Sequence, residues 1–420
     1  MKIIHCSDLH LDADLRSRFD AESAADRRAE LMNTFRRLCR KAREIHAGAV
    51  LICGDLFDTD FPSPSAVRAV EDLILTYSEI LFFCLRGNHD SRSVLFRTRE
   101  MPDNFRLFDH DWTEWELAPG SDGPCCEEPR FAAPRSAGSA GHEQGGVTSE
   151  RCFTEQRFTE QRFSEQRFSE PHFTEPRKIC IIGKETDGQP FTPPTLDPAN
   201  LNIVMLHGQA REGRSASDPE TIPLGALRGI GIDYLALGHL HSFRSFPLDQ
   251  RGTAAYSGCL EGRGFDECGE CGYVLLDADL SSGRIGSRFI PFSARDLYRV
   301  PCDLSGCVSN AEVYERINDA LLASPAQDKD LVRLELTGGL EYGCSPSLAL
   351  VRAEWEDRYH YFDLVDHTAP VVRSEDFLCD PTLKGEFVRV VSAASDLEEA
   401  ERAAILRCGL RALSGEPLFP

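Results

Sequence analysis

The sequence predicts a mixed α/β fold built on a largely parallel sheet, and two observations carry that prediction. Over residues 1 to about 118, short apolar runs alternate with amphipathic stretches, the β-α-β order that builds parallel sheets. Five apolar runs also stop on residues able to hold a metal. They end in Asp8-Leu9-His10, Gly54-Asp55, Gly87-Asn88-His89-Asp90, His207-Gly208 and Gly238-His239-Leu240-His241. Short apolar runs of this kind read as strands buried on both faces. Open α/β sheets collect their ligands beyond the carboxyl ends of the strands. The five ends therefore predict one metal site at that edge.

The elements follow in order. Lys2-Ile-Ile-His-Cys6 is the first strand. Residues 24–47 read as a helix, with Leu31, Phe35, Leu38, Ala42 and Ile45 at three- and four-residue spacing. Pro62 and Pro64 precede a second helix at 65–78, with Val67, Val70, Leu73 and Ile74 turned inward. Residues 119–177 break the pattern with a Gly/Pro/Ser/Ala-rich stretch and then a five-residue repeat whose phenylalanines fall at 153, 158, 163, 168 and 173. A period of five matches neither helix nor strand, so this segment reads as a low-complexity, disordered insertion.

Strands resume at Lys178–Gly183, at the runs ending in His207 and His239, and at Tyr256-Ser257-Gly258 and Gly272–Asp277, closing a first unit at residue 295. Residues 296–375 read as a small α+β unit: strand 298–303, helix 309–324, strand 331–336, helix 346–358, strand 360–366. Residues 376–420 form a third segment, with a strand at 383–392 and a helix from Ser395 to Leu413 begun by a serine cap.

Composition bounds the class. A chain of 420 residues exceeds one ordinary core, and 41% hydrophobic with 27% charged residues is a soluble composition. No run approaches the roughly 18 apolar residues of a membrane span. The chain enters its first strand at once, with no room for a signal peptide, so a cytoplasmic protein is expected. Cys6, Cys53 and Cys84 lie inside apolar strands as small hydrophobes, and Cys268-Gly-Glu-Cys271 lacks a second pair for zinc. The net charge of −22 shifts any nucleic-acid contact onto local patches. Arg27, Arg28, Arg36, Arg37, Arg40, Lys41 and Arg43 offer one such patch, or simply a solvated helix face.

Asp8, His10, Asp55, Asn88, His207, His239 and His241 make seven candidate ligands, too many for one ion. Two ions sharing Asp55 accommodate them, and Asp, His and Asn suit borderline divalent metals. Two ions can clamp a phosphate, activate a water and stabilise the leaving oxygen. His89 is left without a metal, free to act as the catalytic histidine, with Asp90 placed to orient it.

At these residues the chain resembles the calcineurin-like metallophosphoesterases, whose ordered signature is Asp-x-His, Gly-Asp-x-x-Asp, Gly-Asn-His-Asp, His, Gly-His-x-His. Within them it is similar to the DNA repair exonucleases of the SbcD group. Cys6-Ser-Asp-Leu-His-Leu11, Cys53-Gly-Asp-Leu-Phe-Asp58, Tyr234-Leu-Ala-Leu-Gly-His239 and Lys384-Gly-Glu-Phe-Val-Arg389 carry that group's wording. The resemblance implies a four-layer α/β/β/α sandwich with the α+β unit as a capping domain. It implies Asp8, His10, Asp55 and His241 on one ion, and Asp55, Asn88, His207 and His239 on the other. Mn²⁺ is the usual ion it implies, with Fe²⁺, Zn²⁺ or Mg²⁺ as alternatives. It further implies DNA as substrate, a homodimer formed through helices of the nuclease unit, and an SMC-type coiled-coil ATPase docked on the C-terminal segment. No phosphate-binding loop for ATP is present in the chain itself. A small-phosphoester phosphodiesterase and a non-catalytic scaffold of the same fold are the competing readings.

Overall fold

The computed structural model describes residues 1–118, 125–126, 130–131, 177–185 and 190–413, the last with short breaks at 214, 216–217, 219, 342–343, 345, 372–376, 378 and 396. Two large mixed sheets dominate. The first has six strands. Its parallel core is β1 (Lys2–Cys6), β2 (Ala47–Cys53), β3 (Leu81–Leu85) and β4 (Phe105–Leu107), and β15 (Gly272–Asp279) and β16 (Arg284–Pro291) add antiparallel at the β1 edge. The second sheet centres on parallel β8 (Ile179–Gly183), β9 (Leu201–His207), β12 (Tyr234–Gly238) and β14 (Thr253–Tyr256). Antiparallel β13 (Arg244–Pro247) and β5 (Thr113–Ala118) flank them, and the short β6 (Cys125–Cys126) and β7 (Arg130–Phe131) pair with β5.

The sheets pack face to face because the strand residues alternate. Ile3, Ala49, Leu51, Phe83 and Leu85 of the first sheet meet Ile181, Ile203, Met205 and Ala236 of the second. Their neighbours Ile4, Val50, Ile52 and Phe82 point the other way, against α1 (Ala21–Glu44) and α2 (Pro64–Thr76). The outer face of the second sheet, with Ile182, Val204 and Leu235, is covered by the four-residue α3 (Leu224–Leu227) and by loops.

Helix α1 starts three residues before the expected position, because the Asp20 carboxylate accepts from Glu22 N–H and Ser23 N–H as N-cap. It stops early because His46 turns into the left-handed region at φ 53°. Helix α2 begins on a Ser63 cap with Pro64 in its first turn. Parallel β10 (Gln209–Arg211) and β11 (Thr221–Pro223) form a separate ribbon just beyond His207.

Beyond residue 296, β17 (Leu297–Asp303), β18 (Leu331–Thr337) and β20 (Tyr361–Asp366) make a parallel three-stranded sheet. It carries its own core with α4 (Asn310–Ala323) and α5 (Leu348–Trp355), and a small ribbon of β19 (Gly339–Glu341) and β21 (Ala369–Val371) lies beside it. Tyr361 packs edge-on to Phe19 near α1, and Arg333 lies over Phe265, so this sheet sits against the first unit.

The expected strand at 383–392 is a helix, α6 (Leu383–Ala393). Its valines favour a strand, but Gly385, Val388 and Val391 bury one face at three-residue intervals. That face packs against α7 (Glu399–Leu413) through Leu406 and Leu410, and tertiary packing overrides β-propensity. Helix α7 begins at Glu399 rather than Ser395. The repeat at 151–176 lies outside the described residues.

Candidate metal centre

All five predicted strand ends converge, but from two sheets. Asp8, Asp55 and Asn88 follow β1, β2 and β3 of the first sheet, while His207 ends β9 and His239 follows β12 of the second. The turns are tied together past the last ladder bond. Asp8 N–H donates to Gly54 O at 3.1 Å, His10 N–H to Asp55 O at 2.9 Å and Leu11 N–H to Leu56 O at 2.9 Å. His239 N–H donates across to both carboxylate oxygens of Asp8, at 3.0 and 3.1 Å, and joins the two sheets. His89 N–H donates to Asp55 Oδ1 at 2.9 Å.

Four of the candidate ligands hold left-handed backbone: Asp8 at φ 53°, His10 at 45°, Asp55 at 50° and His239 at 106°. Such conformations cost about 1–3 kcal/mol each for non-glycine residues and persist where surrounding contacts enforce them. Here they turn consecutive strand ends inward onto one point. The glycines before the ligands have a role other than admitting an ion. A Cβ on Gly54 (φ +88°) would lie 2.1 Å from His207 Nδ1, and one on Gly87 would lie 2.1 Å from Asp55 Oδ1. Gly54 makes room for a ligand from the facing sheet, and Gly87 for one from the neighbouring strand.

The hydrogen bonds set the imidazole tautomers. A carbonyl only accepts, so His207 Nδ1–H donates to Cys53 O at 2.9 Å. Its Nε2 lone pair then faces Asn88 Oδ1 at 3.0 Å and Asp55 Oδ2 at 3.5 Å. His241 Nδ1 lies 2.8 Å from Glu267 Oε1, and His10 Nδ1 lies 3.0 Å from Asp58 Oδ1. Glu267 fixes the proton of His241 on Nδ1, which turns its Nε2 lone pair toward His10 Nε2 at 3.3 Å and toward Asp8 Oδ1 at 3.9 Å. The Nε2 lone pairs of His207 and His241 thus face the Asp55 and Asp8 carboxylates, acceptor toward acceptor, an arrangement that a cation among them would relieve. Asp8 and Asp55 are each 1% exposed, and among the described residues no lysine or arginine lies within ion-pair distance of either. The donor set of carboxylate, amide oxygen and imidazole fits a borderline divalent ion.

Asp8, His10 and His241 bring ligand atoms within 4.8 Å of one another, as do Asp8, Asp55 and His207, and His10, Asp58 and His89. His239 Nδ1 joins from the second sheet, 3.4 Å from Asn88 Oδ1. Another group, Asp109, His110 and Glu185, lies apart, and there Arg86 already occupies Glu185 with a 2.8 Å ion pair.

The expected partnership of Asp90 with His89 is not what the structure holds. Asp90 Oδ1 accepts Gly87 N–H at 2.7 Å and its Oδ2 accepts Phe57 N–H at 3.1 Å, so it braces the loop backbone. Burial raises its pKa to about 6, with Asp55 adding to the rise and the two amides opposing it. The carboxylate beside the His89 ring is Asp58, whose Oδ1 lies 3.9 Å from His89 Nδ1. The His89 side chain is 43% exposed, so it faces outward from the buried ligands.

Sequence reasoning missed Asp58, Arg263 and Glu267. Asp58 was legible as the last residue of Gly-Asp-x-x-Asp, whereas Arg263 and Glu267 sit in a loop with no metal-type pattern. Burial opposes ionisation of Glu267, but His241 and Arg263 hold its pKa well below the usual range. Burial likewise opposes a charge on His207 and His241, yet Asp55 for the first and Glu267 for the second outweigh it and raise both. Burial wins at His10 and lowers its pKa. A comparison with known protein families matches residues 1–243 to the calcineurin-like phosphoesterases.

Proposed function

Since the chain belongs to the calcineurin-like phosphoesterase family, whose chemistry is metal-dependent phosphoester hydrolysis, we propose that it is a two-metal phosphodiesterase that cuts DNA as an exo- or endonuclease in repair. The observation that carries the metal reading is the convergence of the His207 and His241 Nε2 lone pairs on the buried carboxylates of Asp55 and Asp8. Asp8, His10, Asp55 and His241 would hold one ion, and Asp55, Asn88, His207 and His239 the other. Bound divalent ions neutralise charge on the phosphoryl oxygens and lower the pKa of water, Mn²⁺ being the ion of choice.

The chain's own residues do the rest. The Asp8–His239 and Asp55–His89 backbone bonds keep the two sheets' ligands in register. His89, outward-facing, donates a proton to the leaving oxygen or stabilises charge on it, with Asp58 behind its Nδ1. Arg92, Arg211 and Arg244 lie three or four residues beyond His89, His207 and His241, on exposed positions. Among the described residues their guanidinium groups carry no hydrogen bond or ion pair. In a chain of net charge −22, exposed cations this close in sequence to the ligands support a substrate with several phosphates over a small ester.

The reading extends to an SMC-type coiled-coil ATPase on the α6–α7 pair, where Leu383 and Val390 are 70% and 61% exposed, and to a homodimer. The test offers purified protein and Mn²⁺ linear duplex DNA, circular single-stranded DNA, cyclic nucleotides and a chromogenic phosphodiester. DNA cleavage that disappears in His89→Ala is expected. Turnover of small esters with no DNA cleavage, with or without a co-purified ATPase, would overturn the nuclease reading.

A further inference from the structure

We infer that Arg263 and Glu267 are positioning residues that serve one of the two ions and leave the other untouched; this rests on the two-ion reading above. The Arg263 guanidinium spans two carboxylates. Its Nη1 donates to Asp58 Oδ1 at 2.6 Å, and its Nη2 and Nε donate to Glu267 Oε1 at 2.6 and 3.0 Å. Its own backbone N–H donates to Glu267 Oε2 at 2.7 Å. Each bridged carboxylate stands behind one imidazole Nδ1: Glu267 hydrogen-bonds to His241 at 2.8 Å, and Asp58 Oδ1 lies 3.0 Å from that of His10. A single cation therefore fixes the carboxylate that orients His241 and the one that lies against His10.

Arg263 Nη2 also lies 3.2 Å from His241 Nδ1. That nitrogen cannot accept from arginine while it donates to Glu267, and the contact to the carboxylate is the shorter of the two, 2.8 Å against 3.2 Å. The guanidinium thus acts on His241 through Glu267. The side chains are 8% and 2% exposed, so neither is a loose surface pair.

The other ligand group is held by different means. His207 is oriented by the Cys53 carbonyl of β2, and Asn88 by its place between His207 and His239. Among the described residues neither Arg263 nor Glu267 hydrogen-bonds to Asn88, His207 or His239. Loss of a carboxylate behind a metal-bound histidine typically weakens metal affinity about 10- to 100-fold. Here that loss should fall on one ion.

The experiment titrates the metal-stripped full chain with Mn²⁺ by calorimetry and by the paramagnetic signal of free Mn²⁺. Wild type binds two ions. Glu267→Gln, which keeps the shape and removes the charge, weakens one ion about 10- to 100-fold and leaves the other at wild-type affinity. Arg263→Lys, which cannot span both carboxylates, weakens the same ion. His207→Ala, the control, loses the other ion and keeps this one. Cleavage by Glu267→Gln recovers at raised Mn²⁺ concentration, a rescue that a merely structural lesion would not show. Two ions bound by Glu267→Gln as tightly as by wild type, or both weakened equally, would refute the positioning role. A wild type that binds fewer than two ions would refute the two-ion reading itself, and with it the selectivity claimed here. Matching thermal unfolding of Glu267→Gln and wild type in chelator establishes that the variant folds, and if it does not, Arg263→Lys carries the test.

Discussion

Two buried carboxylate clusters, one around Glu261 on the loop from Ser257 to Cys271 and one around Asp8 and Asp55 at the strand ends, are solved in opposite ways. Glu261, 2% exposed, has both oxygens engaged: Oε2 accepts Thr34 Oγ1–H at 2.8 Å and Ala294 N–H at 2.6 Å, and Oε1 faces Arg27 Nη2 at 3.3 Å and Arg295 N–H at 3.3 Å. Arg27, 1% exposed, supplies the counter-charge. Asp8 and Asp55 are as deeply buried, yet they face imidazole lone pairs and neutral donors. An ionised carboxylate withdrawn from water needs a compensating cation. The first cluster contains its own and is structural. Among the described residues the second has no lysine or arginine to do so, and that difference marks it as a place for a bound ion.

Substitutions can break this comparison, and the largest effect is on activity. His89→Ala is expected to lower kcat by about 10²- to 10⁴-fold while Mn²⁺ stoichiometry stays unchanged, read by single-turnover cleavage and calorimetry. Stability should then separate the two clusters. Glu261→Gln removes one of the two carboxylates paired with buried Arg27, leaving Glu30, and should cost about 1–3 kcal/mol in denaturant unfolding, with Mn²⁺ binding intact. Asp55→Asn keeps the acceptor for His89 N–H and removes an unpaired charge, so in chelator it should unfold no earlier than wild type. An early transition there would show that Asp55 is structural after all. Addition of Mn²⁺ at about 100 times its dissociation constant should stabilise wild type and Glu261→Gln by about 2.7 kcal/mol for a single site, and Asp55→Asn by much less.

The smallest effect concerns a third kind of buried group, kept neutral by burial alone. His5 sits between the sheets with Nδ1 2.9 Å from Tyr234 Oη, and burial lowers its pKa from 6.5 to about 3. The folded pKa lies below the unfolded one, so between them the unfolded chain binds a proton that the folded chain does not. The contribution is therefore complete above pH 6.5 and falls as the pH drops, by about 1.4 kcal/mol per unit. His5→Gln should flatten that slope between pH 6.5 and 5, measured as unfolding midpoints in urea. An unchanged slope would locate the acid sensitivity in the carboxylates.

The strand ends were legible because a buried strand and a metal ligand leave different marks in sequence, and Asp8, Asp55, Asn88, His207 and His239 each sit where one mark gives way to the other. The α6 segment misled for a related reason. Val388, Val390 and Val391 look like strand residues, and only the partner helix with Leu406 and Leu410 makes a helical face worth burying. Asp90 misled because adjacency in sequence suggested adjacency of function, whereas its carboxylate turns to the Gly87 and Phe57 amides.

Local pattern alone determined which residue types end the strands, and therefore the class of chemistry, since periodicity and ligand identity are properties of short segments. What tertiary structure decided is how those ends meet. Two sheets, not one edge, bring His207 and His239 to Asp8 and Asp55, and a loop more than 200 residues from Asp58 supplies Arg263 to hold it. Contacts between segments so far apart depend on the packing of sheet on sheet, and no local spacing encodes them.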